Sequence, residues 1–445
     1  MSLQLKKYWE SFKSSFWFTP TLMAASAAVV AFGVVLLDRR LPASWHSSEW
    51  VYGGGPEGAR AVLSVIASSM ITVAGVVFSI TIVALTLASS QFGPRLLRNF
   101  MRDTANQVVL GTFIATYLYC LLVLRTIRGQ DDREFVPHIA VTLGVLLGVA
   151  SLGVLIYFIH HVAISIQASF IVSAVGKDLH SAIVRLFPAK LELGNNAPDE
   201  PPNEPTNWPN PEAWGPRVFA PHSGYLQAID EDGLLELARE HALLVRVCRR
   251  PGAFVIEGEE MARLAPSPLL NESLTQHVGA MFIIGRERNS TEDVEFVVSQ
   301  LVEVALRALS PGINDPFTAI SCIDWLAAGL SVMAGRVIPS KHRCDSHGNL
   351  RVCAESVTFE DIAGLAFNQI RQAAQQHPSI SIRLMDAVAA IAERAHRVKD
   401  IQSLRSHAQL ILENVRQETL QGSERRAFEL AYQRALEGLN KAVAS

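Results

Sequence analysis

The chain has 445 residues, 49% of them hydrophobic and 18% charged, with a formal net charge of −3 and a mean hydropathy of +0.22. Charge is unevenly spread: residues 1–163 hold 12 Lys/Arg against 8 Asp/Glu, a net +4, and the remainder hold 27 against 34, a net −7. This pattern excludes a uniformly soluble enzyme, a disordered chain, a collagen-like fibre and a nucleic-acid binder with one dominant basic face.

Four apolar segments reach the length of about 20 residues needed to cross a bilayer. They cover 19–37, 61–90, 108–124 and 139–159 and predict a transmembrane domain over 1–163. Lys6, Lys7 and Lys13 before the first segment resemble the start of a signal peptide, but the apolar run is long. Asp38-Arg39-Arg40 also follows it where a small-residue cleavage site would stand, so an uncleaved span is expected. The connecting loops carry equal basic counts, and the ends decide the orientation. Lys6, Lys7 and Lys13 at one end, with Lys177, Arg185 and Lys190 after the last span, predict both termini on the cytosolic side. Five cysteines, four of them in the C-terminal part, form no regular disulfide framework, which agrees with a reducing compartment there.

The second segment carries the most information. At about 100° per residue, Ser64, Ser68, Thr72, Gly75, Ser79, Thr86 and Ser90 fall within roughly 40° of one meridian. Two readings fit this stripe. One is close helix packing, where small residues let backbones approach and hydroxyls bond within or between helices. The other is a pore lined by Ser68, Thr72, Ser79, Thr86 and Ser90 from several copies. After it, Gly93-Pro94 interrupts the helix, and Arg95, Arg98 and Arg102 recur at helical spacing opposite Leu96, Leu97 and Phe100. These arginines suit either headgroup anchoring or the cytosolic mouth of an anion-favouring pore. In the fourth segment Gly144 and Gly148 form a small-xxx-small packing pair, and His160 and His161 lie at its cytosolic end.

From residue 164 to 193 a helical pattern with Lys177, Asp178, His180 and Arg185 predicts an amphipathic stalk continuing the last span, stopped at Pro188. Seven prolines between residues 194 and 216 mark a linker. Residues 217–265 read as a small α/β or barrel-like module: strand 224–228, helix 233–241, strand 243–248, a turn at Arg250-Pro251-Gly252, and strand 253–256. The segment from Pro251 to Met261 is similar to the hairpin of biotinyl and lipoyl barrels, without a carrier lysine.

Residues 266–445 are expected to be mainly helical. Ser290-Thr291-Glu292-Asp293 caps a helix to Leu309. The motif Ser310-Pro311-Gly312-Ile313-Asn314 then turns the chain, and Asp315-Pro316 opens the next helix as cap and first position. Further helices are expected at 359–375, 380–398, 401–420 and 423–442, with a hairpin over 336–357. His342, Cys344, His347 and Cys353 are zinc-type ligands without paired Cys-x2-Cys spacing, so no metal and no cofactor is expected. No Walker loop, Gly-x-Gly-x-x-Gly, His-Glu-x-x-His or Gly-x-Ser-x-Gly occurs, and the chain is not read as an enzyme.

Three stretches carry a resemblance: Val77 to Thr81, Ala88 to Phe100, and Ala308 to Ala319. Together they resemble the bacterial predicted-membrane-protein family DUF2254, over almost the whole chain. The resemblance implies an inner-membrane protein with a cytosolic domain and supplies no activity and no site. The expectation is therefore an α-helical membrane protein with four transmembrane helices and a cytosolic α+β domain, touching the lipid bilayer and not nucleic acid. Its expected function is a homo-oligomeric ion-conducting pore regulated by the cytosolic domain, whose ligand the sequence does not name. The alternative is a non-conducting scaffold or sensor whose hydroxyl stripe packs inside one protomer.

Overall fold

The computed structural model describes residues 17–40, 51–93, 103–129, 135–189, 214–266, 272–416 and 422–444. The chain divides into two units, Met1–Phe170 and Ile171–Ser445.

Among the described residues the first unit contains four helices: α1 (Phe18–Arg40), α2 (Pro56–Phe92), α3 (Thr104–Leu124) and α4 (His138–Ser165). Local chemistry sets their ends. Proline at its first positions pre-forms the start of α2, and Gly93 ends it at φ 106°, a backbone angle that a side chain resists. Asp103 opens α3 by accepting the Ala105 amide at 3.0 Å. Helix α3 packs against the other three, and half of its most apolar stretch is buried against 17–28% in the others, so it is the centre of the unit. Gly144 and Gly148 serve packing, as expected: a Cβ on Gly144 would meet Leu63 at 2.8 Å, and one on Gly148 would meet Ile66 at 3.4 Å.

The second unit begins within α5 (Ala168–Leu186). The expected continuous stalk is broken, since α4 ends at Ser165 with a turn through Ile166 and Gln167. Nor does α5 stand free. Its Gly176 lies under the Trp325 ring so closely that a Cβ would meet it at 2.2 Å, and Arg185 donates to the Thr291 and Ser290 carbonyls.

Eight strands follow, interleaved with α6 (Glu231–Glu240) and α7 (Glu272–Ala280). The strands are β1 (Arg217–Phe219), β2 (Gly224–Ile229), β3 (Leu244–Val247), β4 (Phe254–Val255), β5 (Glu260–Ala265), β6 (Phe282–Gly285), β7 (His342–Cys344) and β8 (Leu350–Cys353). They form a five-stranded sheet in the order β1-β5-β3-β8-β7 and a three-stranded sheet β4-β2-β6. The small module therefore takes strands from beyond residue 265, because β8 enters parallel to β3 and pairs Val352 with Val245. Leu226, Leu234, Val245, Met261, Leu264 and Val278 form its core.

The remaining helices are α8 (Val294–Ala308), α9 (Pro316–Ala334), α10 (Phe359–Ala373), α11 (Pro378–Ala392), α12 (Val398–Arg416) and α13 (Gly422–Ala444). The helix expected over 380–398 stops at Ala392. The cause is tertiary: Arg397 turns aside to the carbonyls of Arg336 and Met333 and to Asp400, which anchors the end of α9. Among the described residues five helices, not four, are long and apolar enough to cross a membrane, the fifth being α9. That helix packs against α8, α10 and α11, and its Cys322, Ile323 and Leu326 are fully buried.

Candidate functional site

Helix α2 has two unlike faces. Ala59, Leu63, Ala67, Met70, Ala74, Val77, Ala84, Ala88 and Phe92 are buried at spacings of three, four and seven residues, the seam of a helix packed into a bundle. The hydroxyl stripe lies roughly 150° round the helix from that seam. Ser68, Thr72, Ser79, Thr86 and Ser90 are all exposed, and a Cβ on Gly75 would meet nothing within 4 Å. The stripe thus faces away from the other three described helices of its unit, and the alternative that packs it inside one protomer does not fit these four helices.

Five of the stripe hydroxyls donate to their own helix. Ser68 reaches the Ser64 carbonyl at 2.8 Å, Thr72 that of Ser68 at 2.8 Å, and Ser79 that of Gly75 at 2.9 Å. Thr86 reaches the Ile82 carbonyl and Ser90 that of Leu87, each at 2.9 Å. With these five protons directed to the backbone, the outward surface of each of the five hydroxyls is an acceptor oxygen. Arg95, Arg98 and Arg102 lie outside the described residues.

Within the unit the polar side chains hold helices to one another. Asp38, 4% exposed, accepts the Ile139 amide at 3.1 Å and the Ala140 amide at 2.9 Å, so the last turn of α1 caps the first turn of α4. Tyr119 donates to the Ala140 carbonyl at 2.9 Å, and Thr116 and Ser151 meet at 3.3 Å between α3 and α4. Near the opposite ends of these two helices, His161 Nε2 lies 2.5 Å from Asp103 Oδ2, and its ring stacks on Tyr157. The Asp38 cap and the Asp103–His161 pair escaped the sequence reading, because each joins residues 58 or more positions apart. The one available signal was an acid, Asp38, at the end of an apolar run.

In the second unit the Ser310 to Pro316 motif is a helix connection. Ser310 donates to the Arg307 carbonyl, Asn314 takes a left-handed φ of 49°, and Asp315 caps α9 through the Thr318 amide at 3.1 Å and hydroxyl at 2.6 Å. Pro316 occupies the first helical positions, as expected, while Pro311, Gly312 and Asn314 are exposed at the tip. Among the described residues no group of three His, Cys, Asp or Glu side chains could hold a metal ion, and none of the five cysteines forms a disulfide. Asp345 belongs instead to the hairpin turn. Burial opposes its ionisation, but Arg351 and the Asn349 and His347 amides hold its carboxyl far below the usual carboxylate range.

The long apolar helices of the first unit, joined in one chain to an α+β region with small sheets, define a multi-helix membrane protein. The particular family follows from comparison: the chain belongs to the predicted membrane protein family DUF2254, whose profile matches residues 13–390. Uncharacterised proteins of Mycobacterium bovis and of Mycobacterium tuberculosis strain H37Rv are each 35% identical over 389 residues, 85% of this chain and 71% of theirs. A third, from Mycobacterium tuberculosis strain CDC 1551, is 34% identical over the same coverage. No solved structure matches the chain.

Proposed function

We propose that the protein is a homo-oligomeric, non-enzymatic ion-conducting pore of the bacterial inner membrane, in which copies of α2 surround an axial water path. The observation that carries this reading is the exposed hydroxyl stripe opposite the packing seam of α2. From Ser64 to Ser90 the stripe is about 39 Å long at 1.5 Å per residue, more than the hydrocarbon thickness of about 30 Å. Lipid tails offer no partner to outward acceptor oxygens, whereas water does. Four helices, α1 to α4, cross the membrane with both termini cytosolic. Helix α9 stays with the second unit, since it has the lowest mean hydropathy of the five, 1.6 against 2.0–2.5, and is enclosed by other helices. The second unit regulates conduction, and the arginines at 95, 98 and 102 line the cytosolic mouth.

The test uses the full chain reconstituted in liposomes. Ionic current is expected, and Ser79→Cys should be labelled by a water-soluble thiol reagent in a background with all five native cysteines replaced by alanine, with current falling after labelling. No current over a range of salts, or Ser79→Cys inaccessible from water, overturns the pore. Ser79→Cys that instead crosslinks to its copy without any current would favour a non-conducting scaffold held together along the stripe.

A further inference from the structure

The five-stranded sheet covers its core with one face only. Val218, Ala262, Leu264, Val245, Val247 and Val352 point inward and are buried together with Leu234 of α6 and Val278 of α7. The opposite face carries a row of side chains in register: Arg217 on β1 opposes Arg263 on β5, which opposes Arg246 on β3, which opposes Cys353 on β8, which opposes His342 on β7. Three guanidinium groups thus stand on three adjacent strands, spanning about 10 Å at the inter-strand spacing of about 4.8 Å.

Like charges directly opposite one another destabilise a sheet. Among the described residues the acid facing the row is Glu260, whose carboxylate binds Arg263 and lies 3.6 Å from Arg217. It is held ionised by that Arg263 bond, against some burial. Cys248 adjoins the same carboxylate at 3.6 Å and adds no charge, its thiol being pushed up by burial and by Glu260. Arg246 is exposed and has no acceptor for its guanidinium among the described residues. Among the described residues the row therefore sets three cations against one anion. Two residues along β1 from Arg217, past an irregularity in the β1–β5 register, Phe219 is 51% exposed on the same face.

We propose that this outer sheet face binds a nucleoside di- or triphosphate, its phosphates on the row of Arg246, Arg263 and Arg217 and its base stacked on Phe219. Guanidinium groups at this spacing meet adjacent phosphoryl oxygens with paired N–H donors. Phe219 and Arg246 are about 12 Å apart by strand geometry, close to the reach of an extended nucleoside triphosphate. The row ends at Cys353 and His342 rather than continuing in arginine, which suits a small polyanion better than an extended one. An exposed ring beside arginines is a stacking platform for any base. The site stands independently of conduction by α2.

The test is binding of ATP and of inorganic triphosphate to the full chain in detergent, by equilibrium dialysis and by thermal unfolding. Both should bind saturably and raise Tm. Arg246→Gln should weaken both at least tenfold while raising the Tm of the ligand-free protein, because it removes a like-charge neighbour; that rise separates lost binding from misfolding. Phe219→Ala should weaken ATP and leave triphosphate unchanged, and Arg239→Gln, on exposed α6 surface, should change neither. Equal affinity in Arg246→Gln, no saturable binding at millimolar ligand, ATP binding unmoved by Phe219→Ala, or binding confined to phosphatidylglycerol vesicles overturns the proposal.

Discussion

His407 shows what burial does to a single ionisable residue. It is 6% exposed on α12, its ring edge-on to Phe367 at 5.6 Å, and burial, helped by Arg371, lowers its pKa to about 4. The neutral imidazole is the native form, so between pH 6.5 and 4 the unfolded chain binds the proton that the folded chain refuses. Stability therefore falls as pH drops through that window and is unaffected by this group above it, with a total of about 3.5 kcal/mol at about 1.4 kcal/mol per unit. We expect His407→Leu to flatten the pH dependence of urea unfolding between pH 4 and 6.5; an unchanged slope would show that the imidazole is solvated. Neither the burial nor the partner is visible in the stretch Ser406-His407-Ala408, where a histidine reads as one more polar residue on an amphipathic helix.

At the scale of elements, ends and joints decide the packing. Asp38 is the clearest joint, closing α1 onto α4 through two backbone amides that would otherwise be unsatisfied at a helix start. Asp38→Ala should lower the thermal stability of the detergent-solubilised chain by about 1–3 kcal/mol, the cost of buried donors left without an acceptor. Asp38→Asn, which keeps one acceptor, should recover part of that loss; equal stability of all three proteins would mean that water replaces the carboxylate. The cap at Asp315 and the proline after it were legible in sequence because capping is a local relation between neighbours. The end of α11 was not, because nothing between Glu393 and Val398 resembles a stop signal. Arg397 leaves the helix to reach carbonyls 61 and 64 residues away.

For the whole molecule the open functional axis is the number of copies. A monomer in detergent is incompatible with an axial path lined by α2, so mass measurement of the purified complex should return an oligomer. If arginines 95, 98 and 102 ring its mouth, replacing all three with glutamine should shift the reversal potential in a salt gradient toward cation permeation. An unchanged reversal potential would move those arginines to the lipid headgroups. These outcomes bear on conduction only, whereas the arginine row on the five-stranded sheet is tested in the same protein without current.

What the sequence by itself determined is whatever depends on near neighbours along the chain. The apolar runs locate the helices of the first unit, the 100° periodicity puts the hydroxyls of α2 on one meridian, and capping residues mark the start of α9. What only the tertiary structure decided is which faces are used. The buried seam of α2 is a row of Ala, Leu, Met, Val and Phe rather than the hydroxyl stripe, because α3 and α4 accept that side and leave the other open. Helix α9 has the composition of a span yet lies among α8, α10 and α11, since apolar residues satisfy a protein core as well as they satisfy lipid. The arginine row exists only because strands from residues 217, 246 and 263 are paired in register. Pairing over such separations is fixed by the packing of the sheet as a whole, and no short stretch of sequence contains it.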